Sequence, residues 1–225
     1  MFMPHPAAFP FELLSSADEQ LMNNEGKVEV FQRREELFLE GKQPSCVYIL
    51  QRGKVKLFTT DMQGREQIVH LARPGDLMGY RAVLGNDAFS CSAAALETTS
   101  VLVIPKAVFF QILDHNPTLS HYIIKLLTTE LRHAEHHLAG LARKHVRSRL
   151  AEVALLLAET YGYEKDGSTL AVQLTREEVA GLVGTATETV IRLLHSLRDD
   201  GLLATDGRKI RLLDIPGLQR LSESN

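Results

Sequence analysis

Cysteine is scarce in this sequence, and its two thiols, Cys46 and Cys91, lie far apart with no second pair. One chain therefore cannot build a disulfide framework or a four-thiolate zinc or iron–sulfur site, and both cysteines are predicted to be small buried apolar residues. The chain also lacks an apolar run of the roughly 18 residues that a membrane-spanning helix needs. No basic patch followed by an apolar run opens it, so we predict a soluble, cytoplasmic protein.

An excess of basic residues is also missing, since the formal net charge is −3. Residues 1–142 hold 13 Lys and Arg against 16 Asp and Glu, whereas residues 143–225 hold 12 of each. The acidic excess therefore belongs to the first part. A neutral second part can still bind nucleic acid if its basic residues cluster, because phosphate contacts depend on local charge.

Short apolar or alternating runs fill the stretch from Val28 to about Pro105, among them "CVYIL", "KVKLFTT", "QIVHLA" and "TSVLVI". Glycines punctuate these runs at intervals of 11 or 12 residues, namely Gly41, Gly53, Gly64 and Gly75. Regularly spaced turn signals between β-rich runs are typical of an antiparallel roll or sandwich. We predict a β-roll domain over residues 1–115.

After "HNP" the hydrophobic period changes to that of a long helix over residues 116–143. Its apolar positions follow alternating spacings of three and four: Ile124, Leu127, Leu131, Ala134, Leu138 and Leu141. Such a narrow two-position seam favours pairing with the same helix of a second copy. The alternative is a helix that packs on its own roll.

The remaining residues, 144–225, begin with the amphipathic helix "VRSRLAEVALLLAETYGY" and continue into two helices with clear start signals. Thr175 with Glu178 predicts one capping box and Thr185 with Glu188 predicts another. A glycine turn at Gly184 separates the two helices, which is the pattern of a helix-turn-helix. Gly201 is predicted to end the second helix in the left-handed conformation.

Beyond the second helix, "LLATDGRKIRLLD" predicts two strands joined at Asp206-Gly207 by a type I′ turn. This hairpin would form a wing with three basic residues, Arg208, Lys209 and Arg211.

The second helix should bury Val190, Leu193, Leu194 and Leu197 and leave Thr187, Glu188, Ile191 and Arg192 outside. A recognition helix presents such exposed side chains to the major groove, where arginine donates to guanine and glutamate accepts from cytosine. The alternative is structural: Glu188 closes the capping box and forms a surface ion pair with Arg192, four residues away.

The stretch "LTREEVAGLVGTATETVIRLLHSLRDDGLL…DGRKIRLLD", preceded by a roll and a long helix, resembles the CRP/FNR family of bacterial transcription regulators over nearly the whole chain. The resemblance implies an α+β fold: a sensory β-roll like a cyclic nucleotide-binding domain, a dimerisation helix, and a winged helix-turn-helix. It also implies a homodimeric transcription regulator whose partners are operator DNA, RNA polymerase and a small-molecule effector.

The most specific element of the resemblance is Glu188-Thr189-Val190-Ile191-Arg192. It implies that Glu188 and Arg192 contact bases of a TGA/TCA-type inverted repeat and that Thr189 contacts phosphate. Arg176, and the wing residues Arg208 and Lys209, would be further phosphate contacts. The residue before the glutamate, Thr187, departs from the arginine of the cyclic-AMP receptor, so preferences at the outer bases of the site should differ.

The roll departs from the cyclic-AMP pocket in "MGYRAVLGNDAFSCSA". Gly79 and Ser90 are kept, but Tyr80 stands at the position of the ribose-binding glutamate and Phe89 lies close to that of the phosphate-binding arginine. The long helix offers Ala134 and Glu135 toward the adenine. We therefore expect no cyclic AMP binding and no cofactor. Arg81 either binds a different anion or is an ordinary surface residue.

Histidines in "RHAEHHL" leave a haem- or metal-responsive member of the family open, because His133 and His137 are four residues apart on one helix. Their heptad positions, like that of His136, point away from the seam, and no third ligand is evident. A rival of another class is a cupin-like metal enzyme. The roll region offers His70 alone and no His-x-His, so we expect no enzyme and no metal site.

Overall fold

The computed structural model describes residues 8–141 and 144–224, except for the side chains of His133 and of residues 136–141. The chain divides into two compact units. Pro4–Thr59 with His70–His133 forms the roll unit, and Thr60–Val69 with Ala134–Asn225 forms the C-terminal unit.

Within residues 8–141, which the structure describes, eight strands form two four-stranded antiparallel sheets. The strands are β1 (Lys27–Phe31), β2 (Glu36–Phe38), β3 (Cys46–Arg52), β4 (Val55–Thr60), β5 (Glu66–Ala72), β6 (Leu77–Met78), β7 (Ser92–Ala95) and β8 (Thr99–Pro105). One sheet has the order β1-β8-β3-β6 and the other β2-β7-β4-β5. The predicted β-roll is confirmed, and the four apolar runs correspond to β3, β4, β5 and β8.

The glycine predicted between the first two runs, Gly53, connects β3 to β4. Its φ is +91°, a region that L side chains rarely adopt. A Cβ atom there would also clash with the hydroxyl of Thr99, on β8. Both the backbone angle and the close approach therefore require glycine at this turn.

Helices complete the roll unit, beginning with a 3-10 turn at Phe11–Leu13. They are α1 (Ser16–Glu25), α2 (Tyr80–Gly85), α3 (Lys106–His115) and α4 (Pro117–Leu141), the last of which continues into the C-terminal unit. A capping box of Ser15 and Asp18 starts α1. The side chain of Asn116 accepts a 3.0 Å hydrogen bond from the Leu119 amide in the first turn of α4.

The long helix α4 has two apolar faces. Leu119, Ile123 and Leu126 are buried in one core cluster with residues of β3, β8 and α3. Ile124 and Leu131, on the predicted seam, are instead 60% and 61% exposed. The helix therefore packs on its own roll through one face and leaves the other face to solvent.

The rest of the predicted seam divides differently. Leu127 is half-buried against the roll core, and Ala134 is half-buried as well. The side chains of Leu138 and Leu141 lie outside the described residues.

Among the described residues 144–224 there are four helices and a hairpin: α5 (Val146–Tyr161), α6 (Arg176–Val183), α7 (Thr187–Asp199), β9 (Leu203–Asp206), β10 (Lys209–Leu212) and α8 (Ile215–Glu223). The last helix was not predicted, although it has a clear start signal. The side chain of Asp214 accepts a 2.9 Å hydrogen bond from the amide of Gly217, and Pro216 lies in the first turn. Leu218 of this helix is fully buried.

The first of the two predicted capping boxes is present. The Thr175 hydroxyl accepts a 3.1 Å hydrogen bond from the Glu178 amide, and the Glu178 carboxylate accepts a 2.7 Å hydrogen bond from the Thr175 amide. Helix α6 ends at Gly184, which is left-handed with φ +70° and ψ +51°. Gly201, also at positive φ, follows α7 as predicted.

The second predicted capping box, Thr185 with Glu188, is wrong. The Thr185 amide donates to the carbonyl of Ala180, so Thr185 still belongs to the end of α6. The N-cap of α7 is Ala186, which makes no side-chain cap hydrogen bond. Because the helix starts one residue later than expected, Glu188 has no capping role.

The turn of the wing is also shifted by one residue. Lys209 pairs with Asp206, so the turn consists of Gly207-Arg208 rather than Asp206-Gly207. Gly207 has φ +53°, but Arg208 does not have a positive φ, and a type I′ turn needs both. The prediction of a type I′ turn was therefore wrong, and glycine occupies the first central position.

The two threonines provide a matched test of these helix starts. Thr175→Ala should destabilise the C-terminal unit by ~1 kcal/mol, because it removes a side-chain cap. Thr185→Ala should lower the free energy of unfolding by only a few tenths of that amount, since the Thr185 side chain caps no helix. Urea unfolding followed by circular dichroism measures both, and equal losses from the two variants would contradict the assigned helix starts.

Candidate nucleic-acid interface and effector pocket

The apolar contact between α6 and α7 determines which side chains α7 exposes. Val190, Leu194 and Leu197 are buried, and Leu193 is half-buried. Their neighbours on α6 are buried too: Val179, Leu182 and Val183. The apolar stripe predicted for the second helix therefore lies inside the helix-turn-helix.

Glu188 and Arg192 project from the opposite side of α7, and both are exposed. Ile191 between them is 40% exposed, and Thr187 and Thr189 are half-buried. Within the part of the chain that the structure describes, neither Glu188 nor Arg192 forms an ion pair. The alternative of a surface ion pair and a closed capping box therefore has no support in the geometry, and both charged groups are available to a ligand.

Arg176, the first residue of α6, connects the helix-turn-helix to the wing. Its guanidinium donates a 2.9 Å hydrogen bond to the carbonyl of Gly207 in the wing turn. Partial burial lowers the pKa of this guanidinium from its usual high value, and the group remains charged at neutral pH. Its Nη1 atom is buried and makes no hydrogen bond to a described residue. The sequence did not predict the bond to the wing, because the two residues are 31 positions apart.

The basic residues of the wing have different surroundings. Arg208 is exposed in the turn. Lys209 forms an ion pair with Glu164, with 2.9 Å between Nζ and Oε2. Arg211 lies 3.6 Å from a carboxylate oxygen of Asp166. Sequence reasoning missed both acids, which lie in the turn after α5.

In the roll, aromatic side chains occupy part of the predicted effector pocket. The rings of Phe38 and Phe89 stack with 4.2 Å between their centroids, and Tyr48 lies 5.3 Å from Phe38. Gly79 packs so closely that an added Cβ would lie 3.1 Å from the Phe89 ring. An open cleft of about 300 Å³ lies beside this cluster, with Lys42 among its lining residues.

Tyr80, which replaces the expected glutamate, points into the core and is buried. Burial, followed by the charge of Glu130 on α4, raises the pKa of its phenol. Glu130 also lies 3.7 Å from Arg81, which is half-exposed; both predicted alternatives for Arg81 are compatible with this ion pair. Glu130 was not predicted, because no local pattern connects it to a segment 50 residues earlier.

The other residues predicted for the effector pocket do not belong to the aromatic cluster. Ser90 is exposed. Ala134, half-buried, and Glu135, exposed, belong to the C-terminal unit, so the pocket described here consists of residues of the roll unit alone.

The remaining predictions concern thiols and histidines. Cys91 is buried, and burial raises the pKa of its thiol, whereas Cys46 is half-buried. No group of three or more metal-ligating side chains occurs among the described residues. The side chains of His133, His136 and His137 lie outside those residues.

None of the described helices is long and apolar enough to span a bilayer.

Comparison with known proteins agrees with both halves of this description. The cyclic nucleotide-binding domain family matches residues 28–116, and the Crp-like helix-turn-helix domain family matches residues 148–221. A cyclic AMP receptor protein of Thermus thermophilus is 32% identical over 178 residues, which cover 77% of this chain and 80% of the relative. The chain belongs to the CRP/FNR family of bacterial transcription regulators.

Two further relatives cover more of the chain. The fumarate and nitrate reduction regulatory protein of Vibrio cholerae is 28% identical and covers 95% of this chain and 85% of the relative. The structure of FixK2 from Bradyrhizobium japonicum is 25% identical, with a TM-score of 0.78 over 89% of this chain and 98% of that structure. The protein is a DNA-binding transcription regulator with a cyclic nucleotide-binding-like domain, and the rival prediction of a cupin-like enzyme is discarded.

Proposed function

We propose that the protein acts as a homodimer that couples a signal received by the roll to binding at an inverted-repeat operator with a TGA/TCA-type core. The observation that carries this proposal is the exposure of Glu188 and Arg192 on the N-terminal half of α7, with neither engaged in an ion pair to a described residue.

Base recognition follows from the chemistry of these two groups. Arg192 can donate two hydrogen bonds to guanine, and Glu188 can accept one from the cytosine amino group. Thr187, one residue earlier, is shorter and uncharged, and its hydroxyl has a single donor, so it cannot make the two-donor contact of an arginine to an outer base. Discrimination should therefore be strong in the operator core and relaxed outside it.

Phosphate contacts would come from residues around the recognition helix: Thr189 on α7, Arg176 at the start of α6, and Arg208 and Lys209 in the wing. Arg176 gives one of its five N–H donors to the wing carbonyl, which leaves further donors of the half-buried guanidinium for a phosphate. Such contacts position the protein on the duplex and supply the salt-dependent part of the affinity.

Dimerisation through α4 would bring the two recognition helices to successive major grooves, with half-sites ~34 Å apart. The exposure of Ile124 and Leu131 supports this part of the proposal, since large apolar side chains in a helical seam favour a partner helix. RNA polymerase would be the partner of the DNA-bound dimer.

The signal is proposed not to be cyclic AMP. A buried tyrosine stands where a carboxylate would bind the ribose, and a stacked phenylalanine lies close to where a guanidinium would bind the phosphate. The roll would respond to a small-molecule effector of different chemistry. The relative from Thermus thermophilus is named for cyclic AMP, so this proposal separates the present chain from that protein.

Arg192→Ala should cost ~1–3 kcal/mol of operator binding and abolish discrimination at one guanine of each half-site, because the bidentate contact is lost. The matched control is Arg198→Ala, at the far end of the same helix, which should leave the preference unchanged. Selection from random duplexes measures both. An enriched site without inverted symmetry, or an unchanged preference in Arg192→Ala, contradicts the proposal.

Leu131→Lys should weaken dimerisation by ~100-fold or more, because two unpaired charges would be buried in one two-fold seam. Thr118→Lys adds the same charge to an exposed position of α4 outside the seam and serves as the control. Sedimentation velocity across a concentration series separates the two. A Leu131→Lys protein that stays dimeric at wild-type concentrations shows that α4 is not the interface.

Cyclic AMP at millimolar concentration should give no calorimetric binding signal and no change in operator affinity, because its phosphate and its ribose hydroxyl lack their charged partners. Heat of binding together with tighter operator binding would overturn this part of the proposal.

A further inference from the structure

The basic residues of the wing differ in whether an acidic side chain pairs with them. Lys209 and Arg211 alternate along β10 and each faces an acid, Glu164 and Asp166 respectively. Arg208, in the turn, forms no ion pair with any residue that the structure describes. Two of the three cations that the wing could offer to phosphate are therefore already neutralised within the chain.

The acids are held in place by the backbone and not by their ion pairs alone. The Leu170 amide donates to the Ile210 carbonyl and the Leu212 amide donates to the Ser168 carbonyl, both at 2.9 Å. This short segment therefore pairs with the free edge of β10. The acids stand on the turn that leads into it, beside the basic side chains of the wing.

Asp166 is further fixed by its own turn. One carboxylate oxygen accepts hydrogen bonds from the amides of Ser168 and Thr169, at 3.0 and 2.8 Å, and the other accepts from the Thr169 hydroxyl. These bonds, with Arg211 adding a smaller effect, lower the pKa of the carboxyl, which is ionised at any physiological pH. Arg211 also donates a 3.4 Å hydrogen bond to the Thr169 hydroxyl.

We propose that Glu164 and Asp166 act as built-in competitors of DNA phosphate for the wing cations and so lower the sequence-independent part of the DNA affinity. The proposal rests on the DNA-binding function proposed above. A phosphate that approaches Lys209 competes for its charge with a carboxylate that already accepts a hydrogen bond from it. The competition acts on every DNA sequence alike, because it involves no base.

The expected size of the effect is modest. The pairs are partly exposed, with side-chain exposures of 42% for Lys209 and 36% for Glu164, and exposed ion pairs contribute little. Removing one acid should therefore tighten binding by ~2- to 5-fold at low salt. The gain should shrink as salt rises, because screening weakens both the ion pair and its phosphate rival.

Glu164 is the better position for a test. Its carboxylate bonds to Lys209, whereas its backbone carries the local turn, with a 2.7 Å hydrogen bond from its amide to the Thr169 carbonyl. Glu164→Gln therefore removes the charge and keeps the turn. Asp166 is less suitable, because its carboxylate organises the loop itself. Glu159→Gln removes the same charge from an exposed position of α5 and is the matched control.

The experiment measures dissociation constants of the full-length protein for a duplex selected by the wild type and for a scrambled duplex, across a salt series. Five proteins are compared: wild type, Glu164→Gln, Glu159→Gln, Lys209→Ala and Glu164→Gln with Lys209→Ala. Thermal unfolding checks that each variant is folded. We expect Glu164→Gln to bind both duplexes ~2- to 5-fold more tightly and the double variant to lose this gain.

Two results would overturn the inference while leaving the proposed function intact. In the first, Glu164→Gln binds no more tightly than Glu159→Gln. In the second, the gain survives the loss of Lys209, which would indicate general repulsion instead of competition for one cation. Failure of the wild type to bind any selected duplex would overturn the proposed function, and the inference with it.

Discussion

The burial of Val190, Leu194 and Leu197 against α6 is the constraint on which the DNA-binding part of the molecule depends. A helix with a buried stripe of this spacing can rotate very little about its axis, since any rotation would expose apolar side chains and bury charged ones. The outward direction of Glu188 and Arg192 is thus fixed by residues that never meet the ligand. The glycine turn at Gly184 sets the angle between the two helices, and the late start of α7 keeps Glu188 out of a capping bond.

The wing depends on this arrangement through Arg176. Its hydrogen bond to the Gly207 carbonyl joins the start of α6 to the turn of the hairpin. A single guanidinium at that point can hold the wing and still have donors left for a phosphate, because arginine has five N–H groups in a fixed plane. Lysine could supply the charge but would lack the planar set of donors.

Much of this could be predicted from local patterns, as in the runs of β3 and β8, the glycine at position 53, and the α6 capping box. These features are determined by neighbours along the chain. The strands β2, β6 and β7 went unpredicted, because β2 and β6 have only three and two residues and Ser92–Ala95 is built of small residues without a β-branched side chain. Helix α8 was missed although its start signal was visible.

The errors at the site have a common physical origin. The observed start of α7 differs from the predicted one because Thr185 is still bonded to the end of α6. The observed wing turn differs from the predicted one because strand pairing places Lys209 opposite Asp206. Glu130, Glu164 and Asp166 gain their roles only from partners 40 to 50 positions away, as in the Lys209 and Glu164 hydrogen bond, whose residues are 45 apart. A sequence pattern records spacing along the chain, and it does not record which acid a fold brings to which base.

The two apolar faces of α4 limit how this helix can change over evolutionary time. Leu119 and Ile123 contact the roll core, whereas Ile124 and Leu131 lie on the exposed face. Substitutions at the two pairs are therefore constrained by different surroundings. Leu127 lies between them, half-buried against the core and on the seam. If α4 forms the proposed dimer, a side chain at position 127 must suit both the roll core and the partner helix, and few side chains can do so. Position 127 should accordingly be among the slowest of the helix to diversify.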